Sequence, residues 1–152
     1  MKASETKITD FLASNKTTFA IPVYQRNYNW TLKECGQLLD DIKRIGASTD
    51  NAHFIGSIVY VHDDVYSATS VKELTVIDGQ QRLTTITLIF SALYCLTKSI
   101  NKLELVDEIF ETYLTNKYAP ETEKLKLKPT ENNKEALRFI LNYDLINKEL
   151  KQ

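Results

Sequence analysis

Apolar positions recur along the chain in two periods, and each switch between them marks a new element. Ile8, Phe11 and Leu12 share one helical face, and Ser4 can cap its start, which predicts a short helix over residues 4–13. Phe19, Ile21 and Val23 then alternate, so residues 18–24 are expected to be extended, with Pro22 lacking a donor as suits a sheet edge. Thr31-Leu32-Lys33-Glu34 reads as a capping box, in which hydroxyl and carboxylate each satisfy an otherwise unpaired backbone donor. Leu32, Cys35, Leu38, Leu39, Ile42 and Ile45 continue at helical spacing and Gly46 offers a stop, predicting a helix over 32–45.

Residues 54–61 are rich in β-branched and aromatic types, as is the shorter run 74–77, and the polar segment 62–72 reads as a loop joining neighbouring strands. After Asp78-Gly79 the period changes again. Leu83, Ile86, Ile89, Phe90, Leu93, Leu96 and Ile100 form a long helical stripe that is nearly apolar on two sides and should be central to the fold. A further amphipathic helix is expected over 103–114, a strand over 124–128 and a helix over 133–142 after the Pro129 turn. The segment 145–152 reads as cut short, the start of a longer region. The expected class is α+β, a small mixed sheet with flanking helices.

Composition narrows the function classes. A chain of 152 residues, 43% hydrophobic and 26% charged, can bury a core without a metal or disulfide staple. The formal net charge is -1 and neither half carries a basic excess, which disfavours a tight DNA clamp driven by counterion release. Cys35 and Cys95 fall within helical patterns rather than at metal-ligand spacing, and both are expected to be reduced core residues. His53 and His62 have no ligand partners at useful spacing. The N-terminus lacks an apolar signal run, and residues 86–96 are too short and threonine-rich to span a bilayer, so a cytoplasmic protein is expected.

Two segments carry candidate chemistry. Val76-Ile77-Asp78-Gly79-Gln80-Gln81-Arg82-Leu83 places a strand, a tight turn and a helix start in succession. Unpaired N–H groups in the helix's first turn, together with the helix dipole, can dock a phosphate near Gln80 and Gln81, and the planar Arg82 fork suits bidentate phosphate contact. Asp78 can hold Mg2+ against those phosphates or accept a proton from an attacking water. Taken alone, the same residues also fit an ordinary helix start, with Asp78 as cap, Gly79 as turn and Arg82 paired to a surface carboxylate. In the second segment, residues 19–30, large aromatics surround Gln25-Arg26. Tyrosine and tryptophan faces can stack bases, but Tyr28 and Trp30 are expected mainly to pack, with Arg26 facing the pocket.

Ile-Pro-x-Tyr-Gln-Arg-x-Tyr-x-Trp at 21–30, Phe-Ile-Gly-Ser-Ile-Val at 54–59 and Asp-Gly-Gln-Gln-Arg-Leu-Thr-Thr at 78–85 together closely resemble the GmrS-like N-terminal domain family of GmrSD-type restriction proteins. The three motifs stand in that family's order and spacing, and residues 124–141 resemble its later strand-helix portion. The resemblance implies a ParB/sulfiredoxin-like core over residues 1–100, followed by a helical extension with one short strand over 101–152. It also implies a bacterial sensor domain that binds nucleoside triphosphates, hydrolyses them in several members, and controls cleavage of modified DNA in phage defence.

The residues that carry over are Gln25, Arg26, Gly79, Gln80 and Gln81 for nucleotide, Asp78 and Arg82 for catalysis, and Gly56 and Ser57 more weakly for nucleotide. The implied partners are a nucleoside triphosphate with Mg2+ at Asp78, DNA reached through the full-length protein or a partner, and a C-terminal or separate His-Asn-His nuclease domain. No membrane partner is expected, and a homodimer is left open. Cleavage itself is not expected of this chain, since its two histidines form no metal site. Two alternatives stand beside the sensor reading: a ParB-like module that reads DNA through Arg26, Tyr28 and Trp30 without hydrolysis, and a domain that has lost activity and serves only for docking.

Overall fold

The alternating run near the N-terminus forms the first strand, β1 (Thr17–Ala20), with Thr17, Thr18 and Phe19 buried. The computed structural model describes residues 2–49, 52–62, 71–117, 119–120 and 124–149, with side chains described as far as residue 140. The expected loop over 62–72 therefore falls largely outside the described residues, as does the end of the 145–152 segment.

β1 pairs in parallel with both β3 (Lys72–Asp78) and β4 (Leu127–Lys128), and β2 (Val59–Val61) pairs antiparallel with β3, giving the order β2-β3-β1-β4. The fold is mixed α+β, as the patterns predict. β1 is an interior strand rather than an edge, and it is shorter than the alternation suggested. The reason lies at Pro22: Ile21 donates the last ladder bond to the Lys128 carbonyl, Pro22 has no N–H to continue, and the Gln25 N–H turns back to the Pro22 carbonyl at 3.0 Å. Val23, in phase with Phe19, is left almost fully exposed.

The other boundaries shift for comparable reasons. Helix α1 spans Ile8–Leu12 and starts at Lys7, which supplies no side-chain cap; residues 2–7 are exposed and have no apolar face to bury, so Ser4 lies outside the helix. Helix α2 (Leu32–Ala47) has the predicted capping box, with the Thr31 N–H donating to Glu34 Oε2 at 2.7 Å, but it runs through Gly46 and ends at Ser48. β2 begins only at Val59 because Gly56 takes a left-handed φ of 104°, which breaks the extended run. The strand expected over 124–128 is shorter because Leu125 instead bridges antiparallel to Thr115.

Helix α3 (Gln80–Ser99) packs Leu83 and Ile86 into a core that includes Phe19, Leu74, Val76 and Leu127. Thr85, Thr87 and Ser91 are buried beside them without penalty, since each hydroxyl donates to the carbonyl four residues earlier at 2.8 to 3.0 Å. Helix α4 (Leu103–Ile109) continues into a π-helical turn, Phe110–Leu114, held on α3 by stacked rings: Phe90 on Tyr113 and Tyr94 on Phe110. Among the described residues none covers the outer face of α3's second half, so Leu93 and Leu96 are exposed and Cys95, expected in the core, is exposed as well; Cys35 is half-buried. Helix α5 (Glu131–Glu149) follows β4, two residues earlier than expected, and buries Leu137 in the same core. Among the described residues, no helix is long and apolar enough to cross a membrane.

Candidate functional site

The turn from β3 into α3 depends on one backbone conformation. Gly79 sits at φ 90°, ψ 9°, which only glycine adopts freely, and a Cβ there would lie 3.0 Å from the Ser57 carbonyl oxygen and 3.2 Å from Ile58 Cα. Its carbonyl accepts the first intrahelical bond, from the Leu83 N–H, which leaves the N–H groups of Gln80, Gln81 and Arg82 without intrahelical acceptors. Asp78 does not cap the helix. Its Oδ1 accepts from the neighbouring Gly79 N–H at 2.8 Å, and the residue is exposed.

A shallow cavity of about 140 Å³ opens at this helix end, lined by Gln25, Arg26, Trp30, Asp78, Gly79, Gln80, Gln81 and Arg82. The two motifs, some fifty residues apart in sequence, thus share one surface. Arg82 Nη1 donates to the Ser57 carbonyl at 2.7 Å, leaving the rest of its planar fork of donors for other acceptors. Among the described residues, neither Arg26 nor Arg82 has a carboxylate partner. Gly56 and Ser57 lie behind Arg82 rather than in the lining: a Cβ on Gly56 would sit 2.5 Å from Arg82 Nη1, so this glycine makes room for the guanidinium. A larger depression of about 230 Å³ at the end of α2, lined by Arg44, Ile45, Ser48, Ala52 and His53, lies away from both motifs.

The two glutamines act differently from the arginines. Both are buried, and their side-chain amides are spent on the 25–29 segment. Gln81 Nε2 donates to the Asn27 carbonyl at 3.2 Å while its Oε1 accepts from the Asn29 N–H at 3.0 Å, so one amide pairs with two backbone groups as a neighbouring strand would. Gln80 Nε2 donates to the Arg26 carbonyl at 3.0 Å, and Gln25 Nε2 ties the segment to the Ile77 carbonyl at 2.9 Å. Only the backbone N–H groups of Gln80 and Gln81 remain to meet an anion.

Tyr28 completes the scaffold. Its hydroxyl bonds Thr85 Oγ1 at 2.9 Å and Cys35 Sγ at 3.0 Å, joining the segment to α3 and α2. Burial, reinforced by the Cys35 contact, raises the Tyr28 pKa above its ordinary value, so the hydroxyl stays protonated at neutral pH. Trp30 both packs against the core and lines the cavity. Asn27, Asn29, Thr85 and Cys35 had no chemical signature in the sequence. Only their partners, 7 to 57 residues away, reveal them as parts of the frame.

Among the described residues, no group of three or more His, Cys, Asp or Glu side chains could hold a metal ion. Asp78 is the sole carboxylate in the cavity lining, and with Oδ1 held by the Gly79 N–H its Oδ2 is the oxygen that a Mg2+ ion would meet. No curated protein matches the chain. One family does match, over residues 8–152: that described as the GmrSD restriction endonuclease, N-terminal domain. The match takes in every residue of the cavity and all four strands, so the chain belongs to the GmrSD N-terminal domain family and is a component of a restriction, phage-defence system.

Proposed function

We propose that this cavity binds the phosphates of a nucleoside triphosphate, and that its occupancy regulates a nuclease located in a separate His-Asn-His domain. The observation that carries the reading is the convergence, at one helix N-terminus, of three amide donors without intrahelical acceptors and two arginines without carboxylate partners among the described residues. At about 140 Å³ the cavity is smaller than the roughly 300 Å³ at which whole-ligand pockets begin, so it suits phosphate groups while the base lies outside.

Asp78 is the residue that sharpens the proposal. A carboxylate beside an anion cradle repels phosphate unless a cation lies between them or a proton is to be taken up. In this reading Asp78 holds Mg2+, which when bound neutralises phosphate charge, and Arg82 and Arg26 stabilise the charge that develops as the terminal phosphoryl group leaves. Direct DNA reading by the same segment has less support, because the Tyr28 hydroxyl is committed to α2 and α3 and Trp30 packs on the core. DNA then meets the full-length protein or a partner, elsewhere than this cavity.

The test is Mg2+-dependent phosphate release from nucleoside triphosphates by the full-length protein. Asp78→Ala and Arg82→Ala are each expected to lower turnover by about 10²-fold or more. Wild-type turnover in both folded variants would remove Asp78 and Arg82, and with them this cavity, from any catalytic role.

A further inference from the structure

The 25–29 segment has a hold that comes from outside both motifs. Thr130, which immediately precedes α5 and is buried, donates its hydroxyl to Asn27 Oδ1 at 3.1 Å. The same hydroxyl accepts from Asn133 Nδ2 at 3.2 Å, so both its roles are used, and Asn132 Nδ2 reaches Asn27 Oδ1 at a long 3.5 Å. Asn27 is thereby gripped from two sides: its backbone carbonyl by Gln81 on α3 and its side-chain carbonyl by the first turn of α5. Arg26, the residue before Asn27, lines the cavity; its carbonyl accepts from Gln80 Nε2, and its guanidinium has no hydrogen-bond partner among the described residues.

We infer that Thr130 is a positioning residue of the phosphate cavity, acting through Asn27 to set Arg26, so that cavity occupancy and docking of the first turn of α5 favour one another. The inference rests on the phosphate-binding reading above and adds a route out of the site. Coupling between two sites is reciprocal: if docked α5 raises nucleotide affinity by some factor, bound nucleotide favours docked α5 by the same factor. The segment has no regular structure of its own, so its position is set by these side-chain bonds, and losing one shifts the population in which Arg26 is in place.

Thr130→Val keeps the shape and removes the hydroxyl, and Thr130→Ser restores it. The protein is titrated calorimetrically with ATP, GTP, CTP and UTP in Mg2+, and hydrogen exchange is followed over residues 131–136. For whichever nucleotide binds the wild type, Thr130→Val is expected to weaken binding by about two- to tenfold and Thr130→Ser to recover it. Nucleotide should slow exchange in that turn in the wild type and in Thr130→Ser, but not in Thr130→Val. Should Thr130→Val fail to fold, Asn27→Ala carries the same expectation from an exposed position. Unchanged affinity and unchanged exchange response in the folded variants would overturn the coupling while leaving the phosphate site standing. A wild type that binds none of the four would overturn both.

Discussion

β1 and the segment that follows it, residues 25–30, are separated by a few residues and built on opposite principles. β1 is held by position: it lies between two parallel partners, with Phe19 1% exposed and its ladder formed from backbone groups. The 25–30 segment is held by side chains reaching in from elsewhere, from Gln80, Gln81 and Thr85 on α3, Cys35 on α2 and Thr130 before α5. A strand fixed by burial tolerates no movement. A loop fixed by polar contacts can be adjusted one bond at a time, which suits the role proposed for this segment, that of holding Arg26 at a phosphate.

That contrast predicts different losses on either side of Pro22. Phe19→Ala should cost about 3–5 kcal/mol of unfolding free energy in urea titrations, since it empties a fully buried site. Gln81→Leu should cost less, about 1–3 kcal/mol, by orphaning the Asn29 N–H and the Asn27 carbonyl. It should also weaken nucleotide binding, which Phe19→Ala at a temperature where it remains folded should not. Equal effects of the two substitutions on binding would erase the distinction.

Gly56→Ala should fall lower on the stability scale, at about 1 kcal/mol for the left-handed backbone alone. Its effect on affinity should exceed its effect on stability, because the new methyl group displaces Arg82 rather than core atoms.

The effect that depends on pH belongs to the frame beneath β1. Lys126 is buried and its ammonium donates to the carbonyls of Leu12 and Ser14, at 2.6 and 3.0 Å. Burial lowers its pKa from 10.5 to about 8. Between those two values the unfolded chain holds a proton that the folded one releases, so this residue makes stability rise with pH from about 8 towards 10.5. The urea midpoint of the wild type should climb across that window relative to Lys126→Met, and nucleotide affinity should show no matching trend from this group.

The sequence was most informative where structure depends on neighbours close in the chain. The capping box at Thr31 and Glu34, the helix beginning after Gly79 and the alternation around Phe19 each follow from residues within a turn of one another. It misled where a local signal met a tertiary limit: the alternation at Val23 outlasts β1 because Pro22 ends the ladder, and Cys95 sits in an apolar pattern on a face that is exposed. The residues that line the cavity were legible as types, while their division of labour was not. In the motif Gln80-Gln81-Arg82 the glutamines look like ligand contacts, yet their side chains are buried clamps on a segment 52 to 54 residues earlier in the chain, and only the geometry separates these from the exposed donors.

Calorimetric titration of wild type and Arg26→Ala with each of the four nucleoside triphosphates in Mg2+ bears most directly on phosphate recognition by this cavity. Saturable binding to the wild type, weakened roughly tenfold or more in Arg26→Ala by loss of charge-assisted bonds, with an unchanged melting temperature, is the expected result. Equal affinity in the two proteins, or no binding to the wild type, would contradict it.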